Sequence, residues 1–565
     1  MKKALPIKKN FIPEGEVEQQ VEVEKKVEEE VKIKSKKQVA KNSAPSKVVS
    51  QKIAPPKAIP SNFANLKLLS TKASTSNTTL SSFNPSVSNI NMRRAPTSAI
   101  INIKDEPFEV KTIAPSQVLD NSDPVQVSLK IALKPVSLSS TRSQEIPCLV
   151  EILSPENNST ERSGIDIICV IDVSGSMCGP KLELVKKTLL FMIKRLDVTD
   201  RVCLITFSDD AKQLSGLVCM NEVGKVKAEG IVNQMHIEGG TEIIKGLELS
   251  LQILTKRQIP NQVTSIILLT DGVDNNSSSA MSRFQAVFAK HSINIPTGFV
   301  IHTFGYGSDH QADLLNSMAD KTNGAFYYIE QESFIPKAFS DCLGEMMSVV
   351  ADSVQVELIT QQGSIPFNLT KVYSETGDLS FRMPPILSGE KKESIFLINF
   401  LPFDGRVAPN HLEFPIKAKV SYKIVATGEV VYKEAVLQVL VANEIDNSEV
   451  ELDEDVMINF YRAKCADVLK EASVFGDTNR LPEARNLLKV AVEEFRGCVV
   501  AESEVVKHLI SDLETAIPRF ADRREYEFGG KADLKSKMNS HQNKRGCYKN
   551  KKQVMLMKEA EEEFE

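Results

Sequence analysis

Two apolar runs that each lead into an aspartate constrain the fold of this 565-residue chain more than any other feature of its sequence. Ile165 to Ile171 precedes Asp172, and Ile266 to Leu269 precedes Thr270 and Asp271. Unbroken apolar runs of this length predict strands buried on both faces, as in a parallel sheet covered by helices. Ligand sites in open α/β sheets lie at the carboxyl ends of the strands, so we expect both aspartates at such a site.

Hydroxyl side chains accompany the two aspartates. Two serines follow the first aspartate in the pattern Asp-x-Ser-x-Ser, and a threonine follows a pair of glycines. The predicted metal ligands are Asp172, Ser174, Ser176, Thr241 and Asp271. All five offer oxygen, which hard cations prefer, so the set indicates Mg²⁺, with Mn²⁺ or Ca²⁺ as alternatives. Three hydroxyls and two carboxylates do not complete an octahedral shell, which leaves a position for water or for a partner's carboxylate.

The residues after the first aspartate favour a tight turn followed by a helix. Gly175 is expected to let the backbone turn sharply, so that both serine hydroxyls point one way. Pro180 suits the first position of a helix, and apolar residues recur behind it at helical spacing. The amino end of this helix would add backbone N–H groups near the site.

These elements resemble the metal-ion-dependent adhesion site of von Willebrand factor type A domains. The family pattern is Asp-x-Ser-x-Ser, then a distant Thr, then a distant Asp, and all five predicted ligands match it in order. The resemblance covers about residues 164 to 350 and implies a doubly wound, mostly parallel α/β sheet. It also implies that the first Asp and the serines bind the ion from one loop, the Thr from a second and the last Asp from a third. Helix capping by Ser and Asp is the alternative reading, but it does not account for three such elements in family order.

A narrower resemblance concerns the later strands. Thr303 to His310 and Gly324 to Glu330 are similar to the corresponding segments of the plant "wavy growth" ubiquitin ligases. Those ligases carry a zinc-binding RING near the amino end. The nine cysteines of this chain include no Cys-x-x-Cys pair, so neither a RING nor a zinc ribbon fits, and ligase activity is not carried over.

The sequence gives little support for catalysis. No Gly-x-Ser-x-Gly element surrounds Ser174 or Ser176, no Gly-x-x-x-x-Gly-Lys-Ser/Thr loop is present, and no two histidines have metal-binding spacing. The net charge of −5 is too small to predict nucleic acid binding. We therefore predict a protein that is not an enzyme and does not bind nucleic acid.

Composition and periodicity divide the rest of the chain. Residues 1–104 are rich in Lys, Glu, Ser and Pro and are expected to be a disordered tail. Alternating apolar residues in 105–160 and 351–443 predict strands, including a hairpin at Thr427-Gly428. We expect these two segments to form one β-sandwich, with the type A domain at 161–350 inserted between them.

The carboxyl-terminal part has a different pattern. Apolar stripes at helical spacing in 451–518 predict an αα-hairpin followed by a third helix. These stripes are typical of packing surfaces, and a groove for a partner is the alternative. Residues 519–565 are expected to be a flexible tail with a short helix from Lys551 to Phe564.

The expected location is the cytoplasm. Lysines in Met1 to Lys9 have no apolar run behind them, which predicts no signal peptide, and no stretch reaches the ~20 apolar residues of a transmembrane helix. An odd number of cysteines, two of them in predicted buried strands, favours reduced thiols.

Two functions follow from the sequence. The first is a metal-dependent adaptor that captures an Asp or Glu of a protein partner. The second is a substrate-recognition or accessory component of ubiquitin transfer that has no RING of its own. A secreted, matrix-binding role is a third alternative, against which the amino terminus and the odd cysteine count argue.

Overall fold

The computed structural model describes residues 125–156, 162–295, 298–361, 364–372, 378–407, 411–443, 450–542 and 549–564. The tail predicted at 1–104 lies outside these residues. The first strands are β1 (Gln126–Ile131), β2 (Leu133–Lys134), β3 (Val136–Ser137) and β4 (Gln144–Leu153).

A seven-stranded sheet forms the centre of the next domain. Its strands are β5 (Ile165–Asp172), β6 (Arg201–Phe207), β7 (Ala211–Gln213), β8 (Val218–Cys219), β9 (Val263–Thr270), β10 (Val300–Tyr306) and β11 (Phe326–Ile329). The order is β11-β10-β9-β5-β6-β7, parallel except for β7 and β8, which pair antiparallel with β6. Every residue of β5 and β9 is buried. The predicted parallel α/β sheet is confirmed, and its two aspartate-bearing strands are neighbours.

Six helices cover both faces of this sheet. They are α1 (Pro180–Arg195), α2 (Glu222–Gln234), α3 (Ile243–Lys256), α4 (Ser277–Ser292), α5 (Ala312–Asp320) and α6 (Ile335–Met346). Helices α1, α2 and α6 pack on one face, and α3, α4 and α5 on the other. Pro180 occupies the first turn of α1, as expected, and the Asn221 side chain caps α2 by accepting a hydrogen bond from Gly224 N–H.

A β-sandwich is built from strands on both sides of this domain. The later strands are β12 (Val349–Thr360), β13 (Phe367–Val372), β14 (Ser380–Arg382), β15 (Ile386–Leu387), β16 (Lys391–Phe400), β17 (His411–Ile424) and β18 (Val430–Ala442). One sheet has the order β1-β4-β16-β13 and the other β14-β12-β17-β18-β3, with β15 on β12. Gly428 has φ +73 in the turn between β17 and β18, which confirms the predicted hairpin.

The central domain is inserted into this sandwich. Strand β4 precedes the domain and pairs along its whole length with β16, which follows it. The two ends of the insertion meet at one turn, because Pro155 O accepts from Gly389 N–H at 3.1 Å and Ser348 O accepts from Ser388 N–H at 2.8 Å. The expected insertion is confirmed, and its ends lie close together as domain termini often do.

Helices follow the sandwich. They are α7 (Glu454–Asp477), α8 (Leu481–Arg496), α9 (Glu504–Ala516), α10 (Lys531–Gln542) and α11 (Lys551–Phe564), after a short strand β19 (Glu451–Leu452) that pairs with β2. The first three share one apolar core with part of α10. Asp453 caps α7 by accepting a hydrogen bond from Val456 N–H at 3.1 Å.

The prediction of a flexible tail from 519 is wrong for the residues that are described there. Helix α10 lies along the edge strand β11, where Asn539 Oδ1 accepts from Phe326 N–H at 3.3 Å and Ser536 Oγ donates to Phe326 O at 3.2 Å. Helix α11 has the predicted bounds, but it packs on the central domain and buries Leu556 in its core. The segment is ordered because it pairs backbone groups of a sheet edge and covers apolar surface.

None of the helices in the described part of the chain combines the length and the apolar character that crossing a bilayer requires.

Candidate metal centre

Asp172 is held rigidly at the carboxyl end of β5. Its carboxylate is buried, Oδ1 accepts from Ser174 N–H at 2.8 Å, and Oδ2 accepts from the Thr270 hydroxyl at 2.5 Å. Thr270 is the last residue of the neighbouring strand β9. The pairing of two parallel strands therefore fixes the direction of this carboxylate.

The two serines lie on one tight turn above Asp172. Their hydroxyl oxygens are 3.1 Å apart. Gly175 N–H donates to Gly239 O at 3.0 Å, which ties this turn to the loop before α3. The sharp turn expected at Gly175 is a single 3₁₀ turn of residues 175–177, and the positive φ of this loop, +87, lies at Gly179.

Asp271 joins the first loop directly. Its carboxylate is buried, and Oδ1 accepts from the Ser176 hydroxyl at 2.6 Å. Oδ2 accepts from Lys181 Nζ at 2.5 Å. Lys181 is not among the residues predicted from the sequence. It lies in the first turn of α1, next to the loop that holds the two serines.

Thr241 reaches the same place from a third loop. Its N–H donates to Asn275 Oδ1 at 3.0 Å, and Asn275 N–H donates back to Thr241 O at 2.7 Å. A Cβ placed on Gly272 would come within 3.2 Å of Thr241 Oγ1, so the absence of a side chain at Gly272 lets Thr241 pack against the residue that follows Asp271. The structure thus brings all five predicted residues to one edge of the sheet.

The electrostatics of the site favour a cation. Burial raises the pKa of Asp172 to about 6, and the charge of Asp271 adds to this increase, while hydrogen bonds from Ser174 and Thr270 oppose it. Burial and the charge of Asp271 also raise the pKa of Tyr306, which ends β10 on the other side of the site. Two carboxylates in one partly dry cluster are stabilised by a positive charge between them.

The residues present fit a small hard cation. Two carboxylates and three hydroxyls from three loops converge there, and Ser176 Oγ joins the first loop to Asp271. All five candidate ligands offer oxygen, and hard cations prefer oxygen to sulfur or imidazole. Ser176 is exposed whereas Asp172, Ser174 and Asp271 are buried, so the cluster opens toward solvent on the Ser176 side.

Two residues that contact the site are not among the five residues predicted from the sequence. Thr270 orients Asp172, and its position directly before Asp271 at a strand end was the available signal. Lys181 neutralises Asp271, and only its spacing from Ser176 could have indicated this.

Comparison with known proteins identifies the domain that carries these residues. Residues 166–341 match the family model of the von Willebrand factor type A domain. The chain therefore contains a domain of this family, and the resemblance seen in its sequence is confirmed. The chain is also similar in fold to the solved structure of the von Willebrand factor type A protein from Catenulispora acidiphila, with TM-score 0.52 and 17% identity over 71% of this chain and 90% of that one.

Two curated proteins are among its relatives. The uncharacterized protein YfbK of Escherichia coli is 25% identical over 261 residues, which are 46% of this chain and 44% of that protein. The E3 ubiquitin-protein ligase WAV3 of Arabidopsis thaliana is 27% identical over 249 residues, 41% of this chain and 30% of the ligase. The likeness to the plant ligases is confirmed, and the chain spans less than half the length of these two relatives.

Proposed function

We propose that this chain is a protein-interaction module whose type A domain binds Mg²⁺ and captures an acidic residue of a partner protein. The proposed ligands are Asp172, Ser174, Ser176, Thr241 and Asp271. When bound, the ion supplies a Lewis-acid position with positive charge for the partner's Asp or Glu carboxylate. Mn²⁺ and Ca²⁺ are the alternative ions, since they accept the same oxygen ligands.

The convergence of three loops carries this proposal. The Ser176 hydroxyl contacts both the Ser174 hydroxyl, at 3.1 Å, and Asp271 Oδ1, at 2.6 Å. These hydrogen bonds hold together chain segments that lie almost a hundred residues apart in the sequence. Ligand groups that are placed in advance lose little conformational freedom on binding, which raises affinity.

The protein's own residues would each have a distinct role in capture. Thr270 keeps Asp172 oriented, and Asn275 holds the backbone of Thr241. The exposed Ser176 side of the cluster is where a partner's carboxylate can approach. None of these roles moves a proton or breaks a bond, so we propose a binding function without catalysis.

A location in the cytoplasm agrees with the cysteines. None of the eight described cysteines forms a disulfide, and most are buried. Reducing compartments keep thiols in this state. We therefore retain the cytoplasm as the proposed location.

Capture by the wild type and by two variants tests the proposal. The immobilised wild-type chain is compared with the variants Asp172→Ala and Asp210→Ala. Asp210 is a suitable control because it is an exposed aspartate after β6 whose ion pair with Lys245 is long, at 3.6 Å. Partners retained in Mg²⁺ should be released by a chelator, lost with Asp172→Ala and kept with Asp210→Ala. Equal retention by all three proteins, with or without chelator, would refute the metal-dependent mechanism.

An accessory role in ubiquitin transfer is the second candidate, favoured by the likeness to WAV3. In this role the chain would recognise a substrate while another protein supplies the RING. Purified chain with E1, E2 and ubiquitin should form no conjugates by itself. Conjugates that depend on this chain alone would instead give it ligase activity and contradict the assignment as a non-enzyme.

A further inference from the structure

A cavity of about 470 Å³ opens beside the candidate metal centre. We call it the flanking cavity. One wall belongs to the loops after β9 and β10, and the other to residues 527–532, which comprise the turn before α10 and its first two residues. The type A domain alone would not form this cavity, because the second wall comes from a part of the chain more than two hundred residues away.

The flanking cavity lies close to the candidate metal ligands. Val273 lines it and follows Asp271 by two residues, so their Cα atoms are at most ~7 Å apart. Gln311 Nε2 donates to Ser277 O at 3.2 Å and joins the two loops of the first wall. A polypeptide whose acidic side chain points at the metal ligands can therefore place a nearby residue in this cavity.

Acidic groups dominate the charged lining. Asp309, Asp313 and Glu527 line the cavity, against one lysine, Lys531. Lys531 already pairs with Asp313 at 2.5 Å and with Asp477 at 2.9 Å. The remaining titratable group, His310, is neutral at pH 7 because burial lowers its pKa to about 4.

Asp309 is the carboxylate that is available to a ligand. It is exposed, and the Ser308 hydroxyl donates to its Oδ1 at 3.1 Å. No lysine, arginine or histidine of the described residues forms an ion pair with it, whereas Glu527 pairs with Arg523. Two exposed apolar side chains border the same cavity: Phe528 is 55% exposed and Val273 45%.

We infer that the flanking cavity binds a lysine or arginine side chain of the partner, two to four residues from the acidic residue that binds the metal. The aliphatic part of such a side chain packs on Phe528 and Val273, while its charge lies at Asp309. This inference rests on the proposed function and adds a second requirement to it. The partner segment carries an acidic and a basic residue close together.

Binding of three synthetic peptides in Mg²⁺ tests the inference. Each peptide has one glutamate, and the residue three positions later is lysine, alanine or glutamate. Isothermal titration of the full chain should give the lysine peptide an affinity about threefold to fivefold higher than the alanine peptide, as expected for one exposed ion pair. The glutamate peptide should bind more weakly than both.

Variants show whether the cavity is responsible. Asp309→Asn should bring the lysine and alanine peptides to equal affinity without changing the affinity for Mg²⁺. Asp210→Asn, at the same edge of the sheet but outside the cavity, should keep the preference. Mg²⁺-dependent binding with no preference for lysine, or a preference unchanged in Asp309→Asn, would overturn this inference alone. Binding that is indifferent to Mg²⁺ for all three peptides would instead overturn the proposed function.

Discussion

At the scale of single residues, Lys181 holds a position that the five-residue pattern does not define. Its ammonium contacts Asp271 Oδ2 at 2.5 Å, on the carboxylate whose other oxygen binds Ser176. A divalent ion in this cluster would have to share Asp271 with a positive charge, and like charges at short range repel. In the proposed metal site Lys181 would therefore lower the affinity for the ion, while its ion pair with Asp271 stabilises the cluster itself.

Replacing Lys181 with methionine should raise the affinity for Mg²⁺. We expect an increase of about threefold or more, since the repulsion is removed and no ion pair has to be broken. Isothermal titration measures it directly. Lys186→Met on the same helix, where Lys186 pairs with Glu183, is the matched control and should leave the affinity unchanged. A Lys181→Met variant with wild-type affinity would show that the lysine leaves the metal unaffected.

The pKa of Asp172 predicts a pH dependence. Burial raises this pKa from 3.8 to about 6, so the folded chain keeps a proton that the unfolded chain has already released. In the absence of metal, the contribution of Asp172 to the free energy of unfolding is fully present below about pH 4 and is lost as the pH rises through about 6. A metal competes with the same proton, so the Mg²⁺ affinity should fall roughly tenfold between pH 7 and pH 5. Titrations at the two pH values check this, and equal affinities would contradict the assignment of Asp172 as a ligand.

At the scale of elements, the carboxyl-terminal helices differ most from expectation. The bounds of α11 follow from its local sequence, and the structure reproduces them. Its contacts do not follow from local sequence, because Arg195 binds Glu559 at 2.8 Å across 364 residues and Phe191 packs on Phe564. Periodicity predicts an element, whereas the surface that it covers depends on the complete fold.

Helix α11 should contribute measurably to stability. Leu556 is 1% exposed and lies in the core of the type A domain, so Leu556→Ala should lower the free energy of unfolding by about 2 to 4 kcal/mol. Met555, its neighbour, is 42% exposed, and Met555→Ala should cost at most about 0.5 kcal/mol. Denaturant unfolding followed by circular dichroism compares the two. Equal, small effects would mean that α11 does not pack on this domain in solution.

The candidate site was the most predictable part of the chain. Strand ends place Asp172 and Asp271 beside each other because parallel strands align their carboxyl ends, and that alignment can be read from two apolar runs. For Thr270 the sequence offered one signal, its position at the strand end directly before Asp271, but the hydrogen bond to Asp172 depends on the pairing of β9 with β5. The flanking cavity could not be predicted either, because residues 527–532 reach the site only through the packing of α10.

At the scale of the whole molecule, the core of the sandwich requires a strand that precedes the inserted domain. The inserted domain itself is attached to the sandwich at a single turn. Strand β4 lies between β1 and β16 and supplies Cys148, Val150 and Ile152 to the sandwich core. The later strands alone would expose this core to water. The two ends of the insertion, in contrast, contact a single turn of the sandwich. Gly389 and Ser388 of this turn donate hydrogen bonds to those two ends.

Fragments can separate these two dependencies. Residues 351–443 alone should show no cooperative unfolding transition, because β16 would lack its neighbour. Residues 125–156 joined by a short linker to 348–443 should unfold cooperatively, since the joined ends already meet. Thermal melts of both fragments provide the comparison. A cooperative transition in the first fragment would show that β4 is dispensable. That result would contradict the sheet order β1-β4-β16-β13.

We propose that three loops hold one hard cation with one coordination position left open. Water proton relaxation during titration with Mn²⁺ tests it most directly, because enhanced relaxation requires a bound ion that still exchanges water. We expect enhanced relaxation that saturates at a single ion per chain, is reversed by Mg²⁺ and is absent in Asp172→Ala. Relaxation that stays at the level of free Mn²⁺, or an enhancement that survives Asp172→Ala, would contradict it.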